Sequence, residues 1–257
     1  MTRKLRPARM AEMVADTLRR QIFEGVHDEG LPKEEDLRER FGVAKSSMRE
    51  ALLILQTEGL ISVRRGNKGG SSVHLPTAAS AAYTLGLSMS AGGTTLQDVA
   101  AALRLLEPMC ARLCALREDR AARLVPELDR LNEAYEAAIE DGIAAIAISR
   151  QFHETVVEEC GNPAISVITS GLSMLWSAHE VDWATEATLS GTFPSLDTRR
   201  EALEWHRQMA ALIREGDPAV ADVVVAHLAE AQSHTLSGGA DRRIDVAPLR
   251  RRVRDGS

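Results

Sequence analysis

A chain of 257 residues is longer than one domain usually runs, so two domains are the expectation. Its 44% hydrophobic and 26% charged residues, with a mean hydropathy of −0.16, match a soluble globular protein and exclude collagen, wholesale disorder and a membrane bundle. The formal charge of −6 is unevenly spread: 14 Lys/Arg against 11 Asp/Glu in residues 1–77, 11 against 23 in residues 78–237, and 6 against 3 in residues 238–257. A polyanion would be drawn to the first segment and repelled by the middle, although solvated faces explain the same charges. Apolar runs such as Gly142–Ile148 fall far short of the roughly 20 residues of a spanning helix, and no apolar stretch follows the basic start MTRKLRPARM, so neither membrane insertion nor secretion is expected. Three cysteines, Cys110, Cys114 and Cys160, suit reduced thiols and a cytoplasmic address.

In chain order, Met10, Met13, Val14, Leu18 and Ile22 have helical spacing and stop at Gly25. A turn at Gly30-Leu31-Pro32 leads to a short helix carrying Leu37 and Phe41 and ending at Gly42. A third helix is predicted from about Ser46 to Glu58, with Met48, Ala51, Leu52 and Leu55 on one face. Leu60–Arg64 and Ser71–Leu75 read as strands joined by a polar, glycine-rich loop. Three helices and a hairpin are the order of a winged helix-turn-helix, assigned to residues 1–77.

Residues 78–94, nearly free of charge and rich in Ser, Thr, Gly and Ala, read as a linker. From 95 to 237 the pattern is helical: Leu96, Val99, Ala100, Leu103, Leu106, Met109, Cys110 and Leu113 form one apolar face, and further amphipathic stretches begin near Ala121, Ile143, Ala164, Leu196 and Pro218. Breaks at Gly161-Asn162-Pro163 and Gly216-Asp217-Pro218 give six or seven helices in an antiparallel bundle, so the fold class is mainly α. Residues 238–257, with six Arg and little to bury, read as a disordered basic tail.

The second helix of a helix-turn-helix enters the major groove, so donors belong on its first turns. Lys45, Ser46, Ser47 and Arg49 are the candidates for phosphate or base contact, with helix capping by Ser46 and a solvated Arg49 as the alternative. Arg64, Arg65, Asn67 and Lys68 offer further donors on the hairpin, where glycines let a backbone lie close to a phosphodiester.

The run GLPKEEDLRERFGVAKSSMREALLILQTEGLISVRRG resembles the DNA-binding domain of the GntR family of bacterial transcription regulators, and the helical remainder resembles the FCD domain of its FadR subfamily. Lys45 stands where that pattern usually has Arg, and Arg49 matches the Arg of its V-R-E-A-L segment. Lys33 and Glu35 replace the usual Ser and Arg, leaving Lys33, Arg38 or Arg40 to take over a phosphate contact. In the helical part the resemblance implies a site for zinc, nickel or a similar divalent ion on His153, His206 and His227, and an effector site using the same histidines and Arg104. The family's fourth ligand, an Asp one turn before the first histidine, is here Ser149. His227 lies one residue nearer its turn than the pattern, a displacement of about 100° around a helix. A metal-free pocket binding an anion directly, or core histidines with no ligand, are the other readings of the three. Arg104 either grips a carboxylate or pairs on the surface with Glu107 at i,i+3. Cys110 and Cys114, one turn apart, are read as packing rather than chelating residues.

Two functional classes follow. One is a homodimeric regulator that binds double-stranded operator DNA and a small organic acid. The other is a metal-dependent enzyme built on His153, His206 and His227, which lacks the zinc-protease spacing because Val157 stands four residues after His153. An architectural DNA binder without ligand is a third reading.

Overall fold

The computed structural model describes residues 7–27, 30–64, 70–237 and 239–249, which divide into two compact units at Thr77 and Ala78. The first unit holds α1 (Pro7–Phe23), α2 (Glu34–Phe41), α3 (Lys45–Thr57) and an antiparallel hairpin of β1 (Ile61–Arg64) and β2 (Gly70–Val73), registered Ile61 to Val73 and Arg64 to Gly70. Its core is the predicted apolar stripes brought together: Val14, Leu18 and Ile22 of α1 meet Leu37 and the Met48, Ala51 and Leu55 face of α3. Gly42 closes α2 in the left-handed region at φ 62°, where a side chain is disfavoured. At Gly30 the Gly-Leu-Pro turn lies against the hairpin. A Cβ there would sit 2.6 Å from the Ser71 carbonyl oxygen, and Leu31 N donates to that same oxygen at 2.9 Å.

The second unit holds α4 (Ala78–Ala91), α5 (Leu96–Leu116), the single turn α6 (Arg120–Arg123), α7 (Val125–Ala137), α8 (Gly142–Glu158), α9 (Pro163–Ser190), α10 (Leu196–Glu215) and α11 (Val220–Leu236). Polar caps set the starts: Thr95 and Asp98 form a reciprocal box before α5, Asp141 caps α8, Asn162 with Pro163 opens α9, and Ser195 caps α10. One core joins α5, α7, α8, α10 and α11 through Leu128, Phe152, Met209 and Val224, and it includes all three cysteines. The thiols of Cys110 and Cys114 are pushed by burial up to about 12, as inert packing groups. Among the described residues no helix is long and apolar enough to cross a membrane.

Two expectations are corrected here. Residues 78–91, read as part of a linker, form α4, a helix whose Ala79, Ala82 and Gly86 are buried. Its residues are so small and uncharged that they pass for linker composition, yet they let α4 lie close to α9, with the Ala82 backbone beside Gly171. Residues 239–249, read as part of a disordered tail, form a strap. Leu96 N donates to Arg242 O at 2.8 Å, Asp245 N donates to His179 Nε2 at 3.0 Å, and Ile244 and Leu249 are buried against the α4, α5 and α9 core. Val246 of the strap fills the space above Gly86. Isolated apolar residues separated by Arg and Asp carry this strap, and no periodicity announces them. Residues 250–257 lie outside the described ones.

Candidate functional site

In the first unit, α3 presents Lys45, Ser46 and Arg49 outward. Ser47 is corrected: it is only 4% exposed and lies with Met48 and Ala51 on the inner face, because the apolar face of the helix is one residue wider than the sequence suggested. Ser46 is not the cap, which falls on Ala44 without a side-chain bond. The Arg49 guanidinium is exposed and lies 3.2 Å from the Glu34 carboxylate of α2. Arg64 ends β1, and Arg65, Asn67 and Lys68 lie outside the described residues.

In the second unit three helices bring the predicted histidines together: His153 from α8, His206 from α10 and His227 from α11, with ligand atoms all within 4.8 Å of one another. The one-residue displacement of His227 does not turn it away, and its Nε2 lies 3.2 Å from Nε2 of His153. Phe152 stacks on His206 at 4.4 Å between centroids, and Tyr135 meets it edge-on at 5.7 Å, so that ring cannot swing. Behind His153 stands Glu107 of α5, whose Oε2 is 3.1 Å from Nδ1. A carboxylate only accepts, so Nδ1 donates to it and the ring is oriented with Nε2 toward the cluster. Burial, then the neighbouring imidazoles, holds His206 well below the ordinary range; burial, then His153, lowers His227 to about 3. Both rings are therefore neutral near neutral pH, the state a metal ligand requires.

The donor set fits a borderline divalent cation. Two nitrogens bonded to one tetrahedral ion at about 2.0 to 2.1 Å stand about 3.3 Å apart, close to the 3.2 Å between His153 and His227. His206 Nε2 is buried and has no hydrogen-bond partner. Three imidazoles without a carboxylate in the group suit zinc or nickel better than calcium or magnesium.

Two cavities flank the histidines and share Ser149, Glu180, His227 and Ala231. One, of about 100 Å³, is walled by Tyr135, Trp183, Phe193 and Trp205 with Arg199 at its side. The other, of about 70 Å³, is polar, with Glu107, Glu154 and Glu180 facing Arg150 and His153. Arg104 is not among the lining residues of either. It donates to Gln232 Oε1 at 2.9 Å, and Gln232 lines the polar cavity. The Arg104–Glu107 surface pair is not formed either, since Glu107 turns inward to His153. The cavity's guanidinium is that of Arg150, whose Nε is buried without a hydrogen bond and stands 3.5 Å from Glu180 Oε2. Burial raises the Glu180 carboxyl above the ordinary range, with Arg150 opposing.

Sequence reasoning missed Arg150, Glu180 and the partnership of Glu107 with His153. Glu107 did leave a signal, a lone charge inside the apolar stripe of Leu103, Cys110 and Cys114. Arg150 and Glu180 left none, because they meet across two helices.

A helix-turn-helix unit with donors on its second helix, joined in one chain to a helical unit enclosing a histidine-lined cavity, defines a ligand-responsive transcription regulator. Comparison with known proteins agrees. The family described as "Bacterial regulatory proteins, gntR family" matches residues 10–69, and the FCD domain matches residues 98–230. The chain belongs to the gntR family of bacterial regulatory proteins and carries an FCD domain. It is 31% identical to the HTH-type transcriptional regulator Rv0494 of Mycobacterium tuberculosis, over 84% of this chain and 85% of that one. It is 27% identical to the HTH-type transcriptional repressor NanR of Enterobacter sp., over 94% and 92%. A solved GntR of Streptococcus agalactiae shares the fold with a TM-score of 0.66 at 24% identity, over 86% of this chain and 98% of that one. These families and relatives are regulators, so the chain is a DNA-binding transcription regulator with an effector-binding domain, and not the metal-dependent enzyme of the alternative reading.

Proposed function

We propose that the protein acts in the cytoplasm as a homodimer on a double-stranded operator, and that a small organic acid held beside a divalent cation in the helical unit alters its operator affinity. The observation that carries this is the convergence of three imidazoles, two of them held neutral by burial, beside a cavity whose one guanidinium, Arg150, lacks a full complement of hydrogen bonds. A bound divalent cation would supply the positive charge that lets a carboxylate enter a chamber bordered by Glu107, Glu154 and Glu180. His153, His206 and His227 would hold it, Glu107 orients His153, and Arg150 with Ser149 faces the acid. Arg104, first expected to grip the acid, is assigned to holding Gln232.

On DNA, Lys45, Ser46 and Arg49 serve the groove, while Arg64, Arg65, Asn67 and Lys68 serve the backbone. Arg49→Ala is expected to cost about 1 to 3 kcal/mol on the operator and little on unrelated duplex, whereas Arg65→Ala and Lys68→Ala weaken all sequences and each flatten the salt dependence by about one unit. Titration of labelled duplexes at several salt concentrations checks both. Equal losses on operator and unrelated DNA for Arg49→Ala would remove it from base contact.

The homodimer reading is supported by an exposed apolar stripe on α5, where Leu105 is 76%, Met109 46% and Leu116 58% exposed, and by the two-fold operators such regulators meet. Leu105→Glu combined with Met109→Glu is expected to convert dimer to monomer at micromolar concentration. An unchanged mass in sedimentation would place the interface elsewhere.

A further inference from the structure

We infer that the ligand of the helical unit is a carboxylic acid bearing a single aromatic ring, with its head beside Arg150 and its ring in the chamber of Trp183 and Trp205; this rests on the effector reading above. The chain has nine Phe, Trp and Tyr residues, and four of them wall one cavity of about 100 Å³. Of these four, Tyr135 and Trp205 also pack against the hydrophobic cores, whereas Trp183 and Phe193 belong to none of the core clusters. Aromatic edges and faces favour a further ring over an alkyl chain of equal area. An apolar cavity of about 150 Å³ accommodates benzene, so this chamber of about 100 Å³ is close to the size of a single ring and small for a fused pair.

The chamber is held open by design of its own wall. Trp183 and Phe193 lie at 5.9 Å with 26° between their planes, and the Arg199 guanidinium sits 5.7 Å over the Phe193 ring. Gly142 makes room for Phe193, because a Cβ there would collide with the ring. The second chamber supplies the head site, since Arg150 Nε is buried without a hydrogen bond, held only by a long 3.5 Å ion pair with Glu180, and an incoming carboxylate offers it a closer acceptor. The two chambers meet at Ser149 and His227, so one molecule can span them.

The test is calorimetric titration of the full chain, loaded with zinc, with benzoate and phenylacetate against lactate, citrate and octanoate. The three tryptophans all border the chambers, so their fluorescence gives a second readout. The expected result is at least 10-fold tighter binding of the ring acids. Ala202→Leu, which fills part of the aromatic chamber and replaces none of the three histidines, should remove at least 10-fold of that affinity and leave lactate binding as it was. Ring-less acids binding as well as benzoate, or an Ala202→Leu protein that keeps the ring preference, overturns the inference while the effector reading stands. No binding by any of the five acids overturns both.

Discussion

His206→Ala is expected to lower the affinity for zinc by more than about 100-fold, since even outer partners of metal ligands change affinity 10- to 100-fold. His206 is the deepest of the three, 1% exposed, and its Nε2 has no other partner. The substitution also removes a ring packed between Phe152 and Tyr135, so the metal-free protein should lose some stability by cavity formation. The two effects separate in a melt with and without zinc. At a zinc concentration 100 times the parent dissociation constant the parent gains about 2.7 kcal/mol, and a variant binding 100-fold more weakly gains about 0.4 kcal/mol. A variant that is less stable yet gains as much from zinc as the parent would reduce His206 to a packing residue.

How much of this was legible in the sequence depends on whether the signal was local. The helix-turn-helix was legible because its helices end on Gly42 and Gly59 and its core repeats every three or four residues, so propensity, pattern and turn chemistry agree. The bundle's helices were legible at the same level: Asn162-Pro163 and Ser195 are start signals in the sequence and caps in the structure. What failed was length without period. The helix α4 contains no charge and few large side chains, so composition outvoted its helical spacing, and the strap of residues 239–249 is fixed by Ile244, Val246 and Leu249 against partners more than 60 residues away.

The site divides in the same way. Each histidine could be found because it sits beside a recognisable break or motif, but the groups that give them chemistry come from other helices. Glu107, Arg150 and Glu180 acquire their roles only when α5, α8 and α9 are packed, and spacing within one helix says nothing about that. Ser47 failed for a different reason. On a 13-residue helix one position at the edge of an apolar face can turn either way, and tertiary packing buried it.

Ser149→Asp is expected to move metal and acid binding in opposite directions. Ser149 stands one helical turn before His153 and lines both chambers beside His227. A carboxylate there adds an anionic ligand to the three imidazoles, which should raise zinc or nickel affinity at least about 10-fold, or about 1.4 kcal/mol. It also brings a further negative charge to a chamber already bordered by Glu107, Glu154 and Glu180 against Arg150. The metal-free variant should therefore melt at a lower temperature than its parent, and the zinc-loaded one at a higher temperature. The place that the ligand's own carboxylate would take is now occupied, so acid binding to the zinc-loaded protein should weaken. Calorimetry of zinc alone, and then of benzoate on the loaded protein, reads the two effects separately. Unchanged zinc affinity would mean that position 149 does not face the cation. If acid and zinc binding both strengthened, the carboxylate of the ligand would not be the group that completes the metal's coordination.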